Sequence, residues 1–104
     1  MASPMRIRAA LKDDVVEVKV LIRHDMETGK RKDSVTGEKV PAHFIETLVV
    51  KCNERVVLES VMGIAVSKDP FIGFKFKGAV AGDVLSITWL DNIGETRTDK
   101  VAIS

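Results

Sequence analysis

Alternation of apolar and polar side chains with a period of two residues is the feature of this sequence that most restricts its fold. It is clearest in residues 16–23, 72–77 and 85–90, where large apolar side chains alternate mainly with charged or small ones. A period of two sends successive side chains to opposite faces of a strand. Shorter alternating runs occupy residues 6–11, 44–52, 55–62 and 96–103. We therefore predict seven half-buried strands and little helix.

Seven short strands in 104 residues predict an all-β fold, namely an immunoglobulin-like two-sheet antiparallel β-sandwich of about seven strands. Turn-forming residues separate the alternating runs, as in the tetrapeptide at positions 91–94. A chain of this length suits one hydrophobic core, so we predict that residues 1–104 form a single domain. The only cysteine is Cys52, so the sandwich would lack the disulfide that links the two sheets of antibody domains.

One long polar segment, residues 24–42, interrupts the alternation. It contains two glycines and a proline, and residues 34–37 have the composition of a turn. Unstructured loops of this length are uncommon in compact domains unless they have a function. We predict an ordered excursion that could contain a small hairpin.

A second prediction concerns a hairpin that is apolar on both faces. If Asn53 and Glu54 form a two-residue turn, Lys51 faces Val56 and the two flanking strands pair from there. One face then holds five apolar residues that suit a core: Ile45, Val49, Val56, Leu58 and Met62. The opposite face holds the residues that we predict to form a partner interface: Leu48, Val50, Cys52, Val57 and Val61. An apolar outer face indicates a surface covered by protein, although a loop of the same chain could cover it instead.

Charge and hydropathy exclude several classes of partner. The chain has sixteen basic and fifteen acidic residues, and this balance gives no reason to expect nucleic acid. No apolar run approaches the ~20 residues of a membrane span, so we expect no membrane partner. Lys75 and Lys77 beside Phe74 and Phe76 resemble a nucleic-acid surface, but alternation predicts that the phenyl rings point inward. The first arginines are not followed by the apolar stretch that a signal peptide requires. Taken alone, this observation favours a cytoplasmic protein.

Candidate metal ligands and nucleophiles are few. The two histidines, His24 and His43, could bind zinc together with Asp25 or Glu27. Their spacing matches no ligand motif, so we favour structural or surface histidines and predict no metal site. Cys52 could pair with either histidine as a thiolate, but it lies in an apolar strand, where burial raises the pKa of a thiol.

We therefore interpret Cys52 as a packed or interface residue, with a redox or partner-linking cysteine as the alternative. The glycines match no phosphate-binding motif. We accordingly predict no catalytic residues and no cofactor. The charged run at residues 30–33 is either a solvated loop or a docking site for an acidic partner.

Particular strings of the sequence are more specific than its composition. The opening IRAALK and the strings HDMETGKRKD, VPAHFI, VSKDPFIGFKFKG and WLDNIGETRTD, at these spacings, closely resemble the SoxZ family. The resemblance extends from Ile7 to Ile103. Asp25 departs from it, because relatives often have proline after the histidine. Only the local turn should differ, since proline restricts φ and aspartate does not.

The resemblance implies an immunoglobulin-like sandwich that forms a tight heterodimer with SoxY. SoxY carries, on a flexible arm, the cysteine thiol to which sulfur intermediates of thiosulfate oxidation are attached. This chain ends in Ser104 without such a cysteine, so the resemblance implies the non-catalytic subunit. The other sulfur-oxidation enzymes are then transient partners that act through SoxY, and a homodimer is the expected fallback without SoxY.

The resemblance also implies a periplasmic protein without its own signal peptide, co-exported through the signal of SoxY. Two other classes of function stay open at this point. One is a thiol enzyme or redox protein that uses Cys52, which would require an exposed and acidic thiol. The other is a generic adaptor domain in the cytoplasm, which would require no export partner.

Overall fold

The computed structural model describes residues 3–63, 66 and 68–104. Within these ranges the chain forms seven strands: β1 (Arg6–Lys12), β2 (Val15–Leu21), β3 (Ile45–Cys52), β4 (Arg55–Val61), β5 (Phe71–Lys77), β6 (Val84–Asp91) and β7 (Thr96–Ala102). Each strand lies at one of the alternating runs. Among the described residues no helix is long and apolar enough to cross a membrane.

The strands form two antiparallel sheets with the core between them. One sheet has the order β1-β2-β5 and the other has the order β4-β3-β6-β7. The inward residues of the central strands β2, β3 and β6 are almost completely buried, as Val18, Val50 and Ile87 show. The predicted all-β sandwich is therefore confirmed. Phe74 and Phe76 pack against this core while Lys75 and Lys77 are exposed, as the alternation predicted.

Backbone hydrogen bonds join the two sheets along one side. The amide of Leu11 in β1 donates to the carbonyl of Ser104 (2.9 Å), and the amide of Ser104 donates to the carbonyl of Ala9 (3.0 Å). On the other side, Nη2 of Arg55 in β4 donates to the carbonyl oxygens of Lys77 (3.3 Å) and Gly78 (3.4 Å) at the end of β5. β4 and β5 are the outermost strands of their sheets on that side.

The polar excursion is ordered and contains the small hairpin. Lys32 and Lys39 form an isolated antiparallel bridge, with the predicted turn at residues 34–37 between them. The carboxylate of Asp33 accepts hydrogen bonds from the amides of Val35 (2.7 Å) and Thr36 (3.1 Å), which stabilises this turn. A second bridge joins Glu27 to His43 and returns the chain to the sandwich.

The β3–β4 hairpin has the predicted turn, but its faces are assigned differently. Cys52 pairs with Arg55 and Lys51 pairs with Val56, as expected for a turn at Asn53 and Glu54. The register then shifts, and Val50 lies opposite Leu58 instead of Val57. Past this shift, the predicted pairing is wrong by one residue.

The predicted outward face of β3 is also wrong. Leu48 and Val50 are completely buried and Cys52 is 4% exposed, so none of the three can form a partner interface. The reason is that β3 pairs with β6 as well as β4, and Leu48 lies opposite Trp89 on the inner face. Both faces of β3 carry apolar residues, with Val49 on one face and Leu48 and Val50 on the other, and the face predicted to be buried was the wrong one.

The remaining two predicted interface residues lie in β4. Val57 is partly buried against the core, so a charge at this position would disturb the fold itself. Val61 is 85% exposed and is the one residue of the predicted interface that lies on an open surface. Val56, which the sequence placed in the core, is also exposed.

Candidate functional site

Four polar side chains meet at one end of the sandwich. His24 follows β2, His43 precedes β3, Asp91 ends β6 and Glu95 precedes β7. One ligand-type atom from each side chain lies within 4.8 Å of the others. His24 and Asp91 are the buried polar residues of the described chain. We call these four residues the His–Asp cluster.

The carboxylate of Asp91 is the acceptor at the centre of the His–Asp cluster. Its Oδ1 accepts hydrogen bonds from the amides of Ile93 (3.1 Å) and Glu95 (2.8 Å). Its Oδ2 accepts from Nε2 of His24 (3.1 Å) and Nε2 of His43 (2.7 Å). Burial raises the pKa of Asp91, but these four hydrogen bonds favour the charged form and bring the pKa below its ordinary value.

The backbone determines which nitrogen of His24 carries the proton. The amide of Met26 donates to Nδ1 of His24 (3.1 Å), so Nδ1 presents its lone pair. In the neutral ring the proton is then on Nε2, where it is donated to Asp91. A metal ion at Nε2 would require a proton on Nδ1, opposite the amide proton of Met26. His24 is therefore arranged to donate a hydrogen bond to Asp91 rather than to bind a metal through Nε2.

The acidic residues that the sequence paired with the histidines do not join this cluster. Glu27 accepts hydrogen bonds from Nε of Arg31 at 3.0 Å, and Asp25 is exposed. The true partner, Asp91, is 67 residues from His24 in sequence. One feature of the local sequence did point to Asp91: it begins the turn at residues 91–94. An aspartate at the start of a turn can accept hydrogen bonds from amides two or more residues ahead.

The His–Asp cluster connects the excursion to the end of β6. Beside it, the side chain of Asn92 accepts from the amide of Phe44 (2.8 Å) and donates to the carbonyl of Ala42 (2.9 Å). The ring of His24 also packs edge-on against Trp89, with centroids 5.1 Å apart. These contacts hold the loops at this end of the sandwich together, which is a structural role.

The environment of Cys52 makes its thiol a weak nucleophile. Burial raises the pKa of Cys52 most, the negative charge of Asp83 raises it further, and the smaller effect of Arg55 lowers it without reversing the shift. The sulfur lies 4.0 Å from Oδ2 of Asp83. Because the thiolate is the reactive form, this environment argues against a redox role.

We expect Cys52 to resist modification in the folded protein. Ellman's reagent at pH 8 should titrate less than a tenth of the thiol in the time that modifies all of it in 6 M guanidinium chloride. Modification at the rate of a free model thiol, without unfolding, would contradict the buried assignment.

The outer face of the three-stranded sheet is strongly basic. Its twelve outward positions follow from the strand register and are Arg6, Arg8, Ala10 and Lys12 in β1, Val15, Glu17, Lys19 and Leu21 in β2, and Phe71, Gly73, Lys75 and Lys77 in β5. We call this the basic face. Its six cationic side chains and one anionic side chain give it a net charge of +5, whereas the whole chain carries +1.

The outer face of the four-stranded sheet has few charges. Its outward positions follow in the same way and are Thr47, Val49, Lys51, Val56, Glu59, Val61, Val84, Ser86, Thr88, Leu90, Thr96, Thr98, Lys100 and Ala102. We call this the valine–threonine face. Three of these fourteen side chains are charged, and Val61, Val56, Leu90 and Val84 are large apolar residues exposed to solvent.

Comparison with known protein families shows to which family this chain belongs. The sequence matches the family described as sulphur oxidation protein SoxZ over residues 5–102, which includes all seven strands. The chain belongs to the SoxZ family. The family works in sulfur oxidation within the Sox system, so this SoxZ-family chain has a role in that process alongside other proteins.

Solved structures show the same fold at low sequence identity. Two variants of the superoxide reductase (neelaredoxin) of Archaeoglobus fulgidus, both in the reduced form, have TM-scores of 0.61. The first is 18% identical, with 99% of this chain and 90% of that chain covered. The second is 21% identical, with 97% and 86% covered. No curated protein sequence matches the chain. At this identity the likeness shows the fold alone.

Proposed function

We propose that this SoxZ-family chain is the non-catalytic subunit of a SoxYZ sulfur carrier. It supports SoxY while sulfur intermediates on the arm cysteine of SoxY are presented to the thiosulfate-oxidising enzymes. The observation that carries the proposal is the burial of Cys52, the only cysteine, in the core of a SoxZ-family sandwich. A carrier thiol must be reached by several enzymes, so the cargo belongs on a partner. The complex functions in the periplasm, after co-export with SoxY.

The valine–threonine face is the surface that SoxY covers in this proposal. Stable interfaces have few charges at their centre, and this face meets that condition whereas the basic face does not. Val61 in β4 and Leu90 in β6 lie on either side of Thr47, so one cross-strand row presents two exposed apolar side chains. Burying a valine-sized side chain contributes about 1.5–3 kcal/mol, so such a row can anchor a heterodimer. In the absence of SoxY, a second copy of this chain is the alternative occupant.

Mass spectrometry tests which of the two subunits carries the covalently bound sulfur. After incubation of the SoxYZ complex with thiosulfate and the loading enzymes, we expect the mass increment on SoxY and an unchanged mass for this chain. The reason is that the Cys52 thiol is out of reach of an enzyme. A Cys52→Ala variant serves as the matched control, and its complex should load equally well. A stable sulfur adduct on this chain, lost in Cys52→Ala, would show a thiol carrier instead.

A further inference from the structure

The basic face combines excess charge with an exposed aromatic ring. Arg8 in β1 lies directly opposite Lys19 in β2, and Arg6 lies in the next outward row. Like charges directly opposite one another weaken the pairing of two strands. Within the described part of the chain, neither arginine has an acidic side chain within ion-pair distance, whereas Lys19 has Glu17 at 3.5 Å. Lys75 and Lys77 also have acidic neighbours, Glu17 at 3.8 Å and Asp14 at 3.7 Å. The excess charge that ion pairs do not explain therefore includes that of Arg6 and Arg8.

Phe71 adds an apolar centre to this charged surface. Its side chain is 65% exposed and belongs to the outward row of Arg6 and Leu21. Gly73, two residues further along β5, leaves room beside the ring: a Cβ there would lie 3.8 Å from Cε1 of Phe71. An open depression of about 550 Å³ runs between Phe71 and Arg8. An exposed aromatic ring surrounded by cations is typical of a binding surface rather than a merely solvated one.

We propose that the basic face docks an acidic protein surface with an apolar side chain that packs against Phe71. The partners are the enzymes that visit the carrier, so the proposal rests on the proposed function. Exposed charges accelerate encounter and are screened by salt, which suits brief docking better than a permanent interface. This face is distinct from the valine–threonine face, so an enzyme can dock while SoxY stays bound.

The structure favours a protein partner over nucleic acid or a small anion. Single-stranded nucleic acid stacks its bases on several aromatic rings, but Phe74 and Phe76 point into the core and leave Phe71 as the outward ring of β5. A small anion needs convergent donors, whereas these cations are distributed over four rows of the sheet. Their spread matches an extended acidic surface.

A charge-reversal pair tests the proposal in the intact complex. Arg8→Glu/Lys19→Glu changes the charge of the basic face by −4. The matched control, Lys30→Glu/Lys32→Glu, makes the same change in the excursion, the other basic segment that could attract an acidic partner. Pull-down with SoxY comes first, because failure of the wild-type chain to bind SoxY refutes the proposed function rather than this inference. Association rates of each complex with the purified sulfur-oxidation enzymes are then measured at low and high salt.

For at least one enzyme, we expect the Arg8→Glu/Lys19→Glu complex to associate about tenfold or more slowly at low salt, with the difference vanishing at high salt. The control should associate normally, and Phe71→Ser should speed dissociation. The proposal is overturned if no enzyme binds the wild-type complex with salt dependence, if the control is slowed equally, or if the face variant loses SoxY. Binding of a fluorescent oligonucleotide that the face variant abolishes would also overturn it and indicate a nucleic-acid surface.

Discussion

Asp91→Ala should cost about 3–5 kcal/mol of folding free energy, a large part of the stability of a domain of this size. The substitution removes the acceptor for four donors: the amides of Ile93 and Glu95 and the imidazoles of His24 and His43. His24 is buried, so water cannot easily replace the lost partner. Urea denaturation followed by the fluorescence of Trp89, the single tryptophan, measures the loss.

Asp25→Ala is the matched control for this prediction. Asp25 is an exposed aspartate next to His24, so its removal should change stability by about 0.5 kcal/mol or less. Equal losses for the two variants would show that the His–Asp cluster does not hold this end of the sandwich.

Acid should remove the contribution of the Asp91 carboxylate to folding stability. The pKa of Asp91 is lowered in the folded protein, so the charged carboxylate stabilises the fold at pH values above the ordinary value of 3.8. That contribution is lost as the pH falls from 3.8 through the folded-state pKa. The difference in stability between wild type and Asp91→Ala should therefore shrink below pH 3.8. A difference that stays constant across this range would contradict the charge-based assignment.

Val61→Asp/Leu90→Asp should weaken binding to SoxY by about a hundredfold or more. The two side chains flank Thr47 on the valine–threonine face, and each substitution replaces an apolar contact by a carboxylate that would be buried. Both residues are exposed in the isolated chain, so the sandwich should stay folded. Calorimetric titration with SoxY and circular dichroism measure the two properties separately.

Val35→Asp/Val80→Asp makes the same chemical change away from this face. Both valines are exposed, at 90% and 64%, and neither belongs to the outer face of a sheet. We expect normal affinity for SoxY. Unchanged affinity in the Val61 and Leu90 variant would exclude the valine–threonine face as the SoxY interface.

Local alternation was sufficient to predict the strands because it reports directly on which side chains leave water. In β2, Val16, Val18 and Val20 alternate with polar or partly exposed residues, and all three are completely buried. The same argument correctly directed Phe74 inward and Lys75 outward. The turn at Asn53 was also predictable, because asparagine tolerates the positive φ of 55° found there.

The arrangement of the strands decided which face of β3 is buried and which residues form the His–Asp cluster, and local patterns could not predict either. In β3 both faces carry apolar residues, and the buried face was decided by pairing with β6, which is more than thirty residues away. The same holds for the His–Asp cluster, since the end of β6 brings Asp91 to His24 and His43 only after the sheets have packed.

By itself, the sequence determined the sandwich, the presence of a single cysteine and the family. Only the tertiary structure decided that Leu48, Val50 and Cys52 belong to the core and that the charges of β1, β2 and β5 gather on one face. The physical reason is that alternation along one strand shows only which side chains share a face of that strand. A surface or a cluster is instead a property of register between strands that are distant in sequence.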